Sequence, residues 1–206
     1  MSEYENKKTR RLFLFMKKVT LFYSAPFVYH IDMIKRMIPF AYSDSIFEIE
    51  PSFYEKNRIK IVLSDLDNTL DSYKTSYPSE RVKELKRFYS EHGIRLMIVS
   101  NNTSKRVQIY AQALGVRAIC FMLKPFAFRL KKFLTDESLN RDEVLLVGDQ
   151  IFTDVMAGNK AGVKTLLVAP LTPFDPPWTS MNRFFEGPTR RKLLRKKIAK
   201  NWREMQ

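Results

Sequence analysis

Five short apolar runs punctuate the middle of the chain: Ile59–Leu63, Ile94–Val99, Ala118–Phe121, Val144–Val147 and Thr165–Ala169. They are near-continuous and rich in β-branched residues, which predicts parallel strands covered on both faces. Between them the pattern takes a helical period. One helix is predicted to start near Pro78 and to turn Val82, Leu85, Phe88 and Tyr89 inward before Gly93. A second runs from about Thr103 to Leu114 before Gly115, a third follows Pro125, and a fourth covers about Thr153–Lys160 ahead of Gly162. Each of these three glycines stands where a helix should end in a left-handed residue. The alternation predicts an α/β fold, a three-layer doubly wound, Rossmann-like parallel sheet with right-handed crossovers. Ligands of such sheets bind beyond the carboxyl ends of the strands.

The flanks read differently. Residues 1–58 are rich in aromatics and lack glycine, while Pro170, Pro173, Pro176 and Pro177 mark a turn-rich stretch that leads into a basic end. The expected organisation is an aromatic and basic extension over 1–37, an α/β domain over 38–188 and a basic, helical tail over 189–206. At 206 residues and 45% hydrophobic, the chain has material for one sizeable core, which excludes collagen-like and fully disordered classes. A single cysteine, Cys120, excludes an intramolecular disulfide, and its apolar surroundings predict a buried structural thiol.

Charge changes the picture. The net charge is +14, with the steepest density over 171–206, where nine basic residues face three acidic ones. Such a field attracts polyanions: nucleic acid, anionic headgroups or phosphorylated substrates. The tail places Leu194, Ile198 and Trp202 four residues apart, so a helix there would carry a narrow apolar stripe on a cationic surface. A solvated helix or frayed end is the competing reading; the segment Leu12–Ile34 could dock in the same way or pack over the sheet. The longest charge-free stretch near the start, Val19–Ile31, is 13 residues and is broken by Pro26 and His30. A membrane span needs about 20. The expectation is a cytoplasmic protein in peripheral contact with the inner face of the membrane.

The strand ends carry the chemistry. Ser64-Asp65-Leu66-Asp67-Asn68-Thr69-Leu70 follows the first run, Ser100-Asn101-Asn102 the second, Lys124-Pro125 the third, and Gly148-Asp149-Gln150 with Asp154 the fourth. Asp65, Asp67 and Asp149 would bring three carboxylates into one crevice, where a hard cation relieves their repulsion through oxygen ligands. Lys124 adds a positive charge, and Ser100 and Asn101 add hydroxyl and amide donors. Nucleophile, proton donor, divalent metal and charge stabilisation are the requirements of phosphoryl transfer. A calcium loop is the bland alternative for Asp65 and Asp67, but that loop wants Gly sixth and Glu twelfth, where Leu70 and Ser76 stand. Lys124 alone would read as a surface lysine, and Asp154 alone as a helix-start acid. His30 and His92 read as bystanders.

DLDNTL, SNN, the Lys-Pro pair and VGDQIFTD, in this order, resemble the four motifs of the haloacid dehalogenase-like hydrolases. A narrower resemblance covers roughly 38–188 and points to the YqeG-type branch, related to phosphatidylglycerophosphate phosphatases. It rests on Ser45–Ile49, Asp154–Asn159 and the late Phe174-Asp175, Trp178-Thr179 and Asn182-Arg183. The resemblance implies that Asp65 attacks phosphorus and that Asp67 protonates the leaving oxygen, then activates water. It implies that Lys124, Ser100 and Asn101 hold phosphoryl oxygens and that Thr69 orients the loop. Mg²⁺ would be held by Asp65, the main chain of Asp67, and Asp149, with Asp154 behind the metal or paired with Lys124. Only 35 residues separate Asp65 from Ser100, and 24 separate Ser100 from Lys124. That leaves no room for a cap domain and suits a phosphate carried on something large. Three functions stay open: a phosphatase acting on an anionic phospholipid, a nucleic-acid-end or nucleotide phosphatase, and a basic RNA- or membrane-binding protein with an incidental site.

Overall fold

In the computed structural model, residues 33–102, 105–172 and 177–206 are described, with 177–185 known by backbone only. The chain divides into Met1–Arg36 and Met37–Gln206. The aromatic stretch before residue 33, including Leu12–Asp32, lies outside the described residues, as do Thr103 and Phe174-Asp175.

Six strands form the second unit's sheet: β1 (Ala41–Ser43), β2 (Ile61–Ser64), β3 (Arg95–Val99), β4 (Arg117–Ile119), β5 (Val144–Gly148) and β6 (Lys164–Val168). Their order is β1-β6-β5-β2-β3-β4, and every neighbouring pair is parallel. Five of the six lie where the apolar runs predict them. The sixth, β1, is an edge strand of three residues, too short to leave a pattern.

The helices are α1 (Pro51–Lys56), α2 (Glu80–Glu91), α3 (Lys105–Leu114), α4 (Phe128–Asp136), α5 (Met156–Ala161) and α6 (Pro177–Arg195). They divide between the faces of the sheet as strand alternation demands. Val62, Leu96, Ile98, Leu145 and Val147 pack with Phe53 and Tyr54 of α1, Val82, Leu85 and Tyr89 of α2, and Val107 and Tyr110 of α3. Ile61, Leu63, Met97, Val99 and Leu146 point the other way, onto Leu130 and Phe133 of α4 and Ala157 and Ala161 of α5. The fold is therefore a three-layer, doubly wound Rossmann-like sheet, and one helix fills each crossover on either side of β3, with no cap domain among the described residues. Gly93, Gly115 and Gly162 all take positive φ behind their helices.

The basic end departs from expectation. α6 stops at Arg195, and Lys197 takes a φ of 51°, so Leu194, Ile198 and Trp202 share no helical stripe. The chain instead returns to the sheet edge, where Tyr42 N donates to Lys200 O at 2.9 Å and Asn201 pairs with Tyr42 as a parallel bridge. A short 3-10 turn (Trp202–Met205) then buries Trp202 against Phe53, the rings meeting edge to face at 6.4 Å. Leu193 and Ala199 are buried and Ile198 is exposed. Cys120 is half-buried rather than buried; it packs at the margin of the core, and burial pushes its thiol up. No helix among the described residues is long and apolar enough to cross a membrane.

Candidate active site

From β2 the chain goes to β3 and β4 on one side, then returns to β5 on the other, so the carboxyl end of β2 is the switch point of the sheet. Ser64 pairs with Ile98 of β3 and with Val147 of β5. Asp65, one step on, therefore lies level with Val99 and Gly148, and Ser100 and Asp149 stand just beyond. Asp65 N donates to Val147 O at 2.8 Å, which holds the strand end in line.

Lys124 enters this crevice from the loop after β4. Its Nζ lies 2.6 Å from Asp65 Oδ1, 2.6 Å from Asp154 Oδ1 and 3.2 Å from Val99 O. The ammonium is buried, as are Asp65, Asp149 and Asp154. Asp154 sits on a π-helical turn, Ile151–Val155, and its other oxygen accepts from Gln150 N at 3.1 Å. The pairing with Lys124 was one of the two roles expected for Asp154. Gly148 makes that placement feasible: a Cβ there would fall 2.2 Å from Asp154 Cγ.

The electrostatics follow from crowding in a dry site. Burial pushes the Asp65 carboxyl well above its usual range; Lys124 pulls it down, while Asp154, Asp149 and Asp67 push it further up. Burial alone would lower Lys124, but Asp154 and Asp65 more than offset that and raise it.

Asp67 is turned elsewhere. Its carboxylate pairs with the Arg106 guanidinium on α3, which also donates to Thr75 O at 2.9 Å. Nearby, Asp71 Oδ2 accepts from Tyr110 Oη at 2.6 Å and from Ser79 N at 3.0 Å, so α2, α3 and the loop after β2 are tied together. Asn68 turns that loop with φ 62°, a conformation asparagine tolerates, and its Oδ1 accepts from Thr172 Oγ1 at 3.0 Å. Thr69 is buried, and its Oγ1 has no hydrogen-bond partner among the described residues. Ser100 is buried too, and its Oγ accepts from Asn102 N at 3.1 Å. Asn101 was expected among the phosphate contacts. Its amide is instead engaged by the main chain of Lys124, accepting from Lys124 N at 2.7 Å and donating to Lys124 O at 3.0 Å.

Among the described residues no three His, Cys, Asp or Glu side chains are grouped to cage an ion. Of the four acidic residues expected at the metal, Asp67 through its main chain, Asp154 is drawn to Lys124 and the Asp67 side chain to Arg106. Asp65 and Asp149, with a main-chain carbonyl, remain as an oxygen donor set. Three mutually repelling carboxylates against one ammonium leave the pocket negative, and that chemistry fits a hard divalent cation.

Sequence reasoning missed the supports. Glu186 of α6 is buried and accepts from Phe152 N at 2.5 Å. Arg190, one turn on, donates to Asp149 O at 3.0 Å and Val168 O at 2.5 Å. α6 thus braces the back of the fourth motif. No spacing rule predicts it, since the partners lie 34 and 41 residues away in sequence.

The family model described as "Haloacid dehalogenase-like hydrolase" matches residues 12–168, more than half the chain. The chain belongs to the haloacid dehalogenase-like hydrolases. Within that family it is 33% identical to "Probable phosphatase YqeG" of Bacillus subtilis over 155 residues, covering 75% of this chain and 90% of that one. It is an enzyme of the phosphatase class, a phosphoric monoester hydrolase. Solved structures are more distant. An uncharacterised protein from Listeria monocytogenes serotype 4b has a TM-score of 0.47 at 14% identity, over 58% of this chain and 85% of that one. The cobalt-bound deoxy-D-mannose-octulosonate 8-phosphate phosphatase of Haemophilus influenzae has a TM-score of 0.43 at 15% identity, over 54% and 69%.

Proposed function

We propose that this haloacid dehalogenase-like enzyme removes the terminal phosphate from an anionic phospholipid, phosphatidylglycerophosphate, at the membrane surface. The observation that carries the chemistry is the Lys124 ammonium set between Asp65 and Asp154 at 2.6 Å each, at the switch point of the sheet. Lys124 draws the phosphoryl group toward Asp65, whose Oδ attacks phosphorus in line and forms an aspartyl-phosphate as the lipid oxygen leaves. Asp67, oriented by Arg106, gives that oxygen a proton and then takes one from the water that hydrolyses the intermediate. In this reading the Ser100 and Thr69 hydroxyls donate to the phosphoryl oxygens, while Asn101 steadies the Lys124 loop. Asp65, Asp149 and the Asp67 carbonyl would hold Mg²⁺, which when bound would supply charge neutralisation for the transferred group.

The uncapped site and the +14 charge support a large anionic substrate. The test is a panel with purified protein in Mg²⁺: phosphatidylglycerophosphate, nucleotides, phosphorylated DNA ends and sugar phosphates. Preference for the lipid, and loss of all turnover in Asp65→Asn with the thermal melt nearly intact, is the expected result. Preference for DNA ends would replace the lipid reading, and retained turnover in Asp65→Asn would end the aspartyl mechanism.

A further inference from the structure

The loop that delivers Lys124 to the site also carries the three phenylalanines that are exposed among the described residues. Phe121, Phe126 and Phe128 are 45%, 65% and 59% exposed. Phe126 N closes a turn on Leu123 O at 2.8 Å, and the Arg129 guanidinium stands 4.9 Å from the Phe121 ring centre, which gathers these side chains at the start of α4. Large rings facing water beside an active site need an explanation, because a single-chain protein seldom exposes such a cluster without a partner.

Charge says which partner. From His92 to Thr135 the sequence has no Asp or Glu, against eight basic residues; Arg106, Arg117, Lys124 and Lys132 pair with acids outside this stretch, while Arg129 and Lys131 flank the phenylalanines. Between Arg117 and Leu134 every side chain is apolar or cationic, with no hydroxyl, amide or carboxylate. A single-stranded nucleic acid would stack its bases on such rings, but the face of Phe121 is taken by Arg129. A segment of aromatic and cationic side chains alone suits the headgroup zone of an anionic bilayer, with rings among the upper acyl chains and lysines among the phosphates. The basic end, for which anchoring was one of two readings, has Leu193 and Trp202 inside the core and exposes Ile198.

We propose that the loop between β4 and α4, with the first turn of α4, is a membrane-docking surface: Phe121, Phe126 and Phe128 enter the headgroup region of an anionic bilayer while Arg129 and Lys131 bind its phosphates. This rests on the lipid-phosphatase reading and adds to it how the site meets its substrate. Docking through the loop that carries Lys124 brings the mouth of the site to the plane of the lipid phosphates.

The experiment is co-sedimentation of the full chain with phosphatidylglycerol–phosphatidylcholine vesicles and with phosphatidylcholine alone, using wild type, Phe126→Ser/Phe128→Ser, and Ile198→Ser at the basic end. The expected result is binding only to the anionic vesicles, lowered about tenfold or more in the double phenylalanine variant and unchanged in Ile198→Ser. Equal binding by the double variant, or no binding by wild type, would overturn the proposal. So would wild-type binding to a DNA oligonucleotide that is lost in the double variant while vesicles are ignored, or a dimer that the double variant dissolves. A melt of the double variant more than about 5 °C below wild type would mean that the chain itself covers the rings, which also overturns it. Wild-type hydrolysis of p-nitrophenyl phosphate separates the two readings: turnover without vesicle binding defeats docking alone, and binding without turnover defeats the phosphatase reading alone.

Discussion

Lys124 is the residue on which the site's charge balance turns. Among the described residues its buried ammonium alone pairs with both Asp65 and Asp154. Removing one partner of a buried ion pair leaves uncompensated charge, so Lys124→Met is expected to lower stability by about 3–5 kcal/mol, read as a shift of the urea midpoint, besides abolishing turnover. Asp65→Asn removes charge from a crowd of carboxylates and leaves stability close to wild type, which separates the two substitutions. Gly148→Ala tests the packing: the added methyl overlaps Asp154, and a loss of about 1–3 kcal/mol in urea unfolding with a fall in kcat is expected. That Asp65, Lys124 and Asp149 stand near the end of β2 was legible in the sequence because parallel strands deliver the residues that follow them to one edge. Arg106 was not, because its pairing with Asp67 is set by how α3 packs over the loop, 39 residues away.

The elements that sequence patterns failed to show are the ones stabilised by distant partners. β1 has three residues, and its outer edge is covered by Lys200 and Asn201, which protects an otherwise open sheet edge. The basic residues of 189–206 disguise this role, since charge density there outweighs the few apolar side chains. Trp202→Ala is expected to cost about 3–5 kcal/mol in urea unfolding, the penalty of a core aromatic rather than of a surface anchor. Truncation after Gly187 would strip Leu193, Ala199 and Trp202 from the core and unfold the domain rather than detach a tail. α6 makes a pH-dependent contact. Burial, opposed by the amides of Phe152 and Ile151 and aided by Asp154 and Asp149, pushes Glu186 up to about 7. The folded state then keeps a proton that the unfolded chain has lost, so stability falls as pH rises from about 4.5 to about 7, by up to about 3 kcal/mol. Melts at pH 5 and pH 8 in a chelator should differ less in Glu186→Gln than in wild type.

At the scale of the whole molecule the topology was written in the central runs, whose β-branched, two-sided apolarity admits only a covered parallel sheet. What the runs did not carry was closure. The middle strands and their crossover helices come from one continuous stretch, Ile61 to Val168, whereas the edge and one end of the core depend on Ala41–Ser43 meeting residues that follow Arg195. Asn57 Nδ2 donates to Met205 O at 3.0 Å, and Gln206 Nε2 reaches Glu50 Oε2 at 3.1 Å, which fastens that meeting. Vectorial synthesis on the ribosome therefore offers β2–β6 and the nucleophile loop well before the indole that seals the first face exists. A nascent chain halted between Val168 and Trp202 would carry every residue of the phosphate pocket but leave the hydrophobic face beside Phe53 unsealed, a natural station for a chaperone to grip.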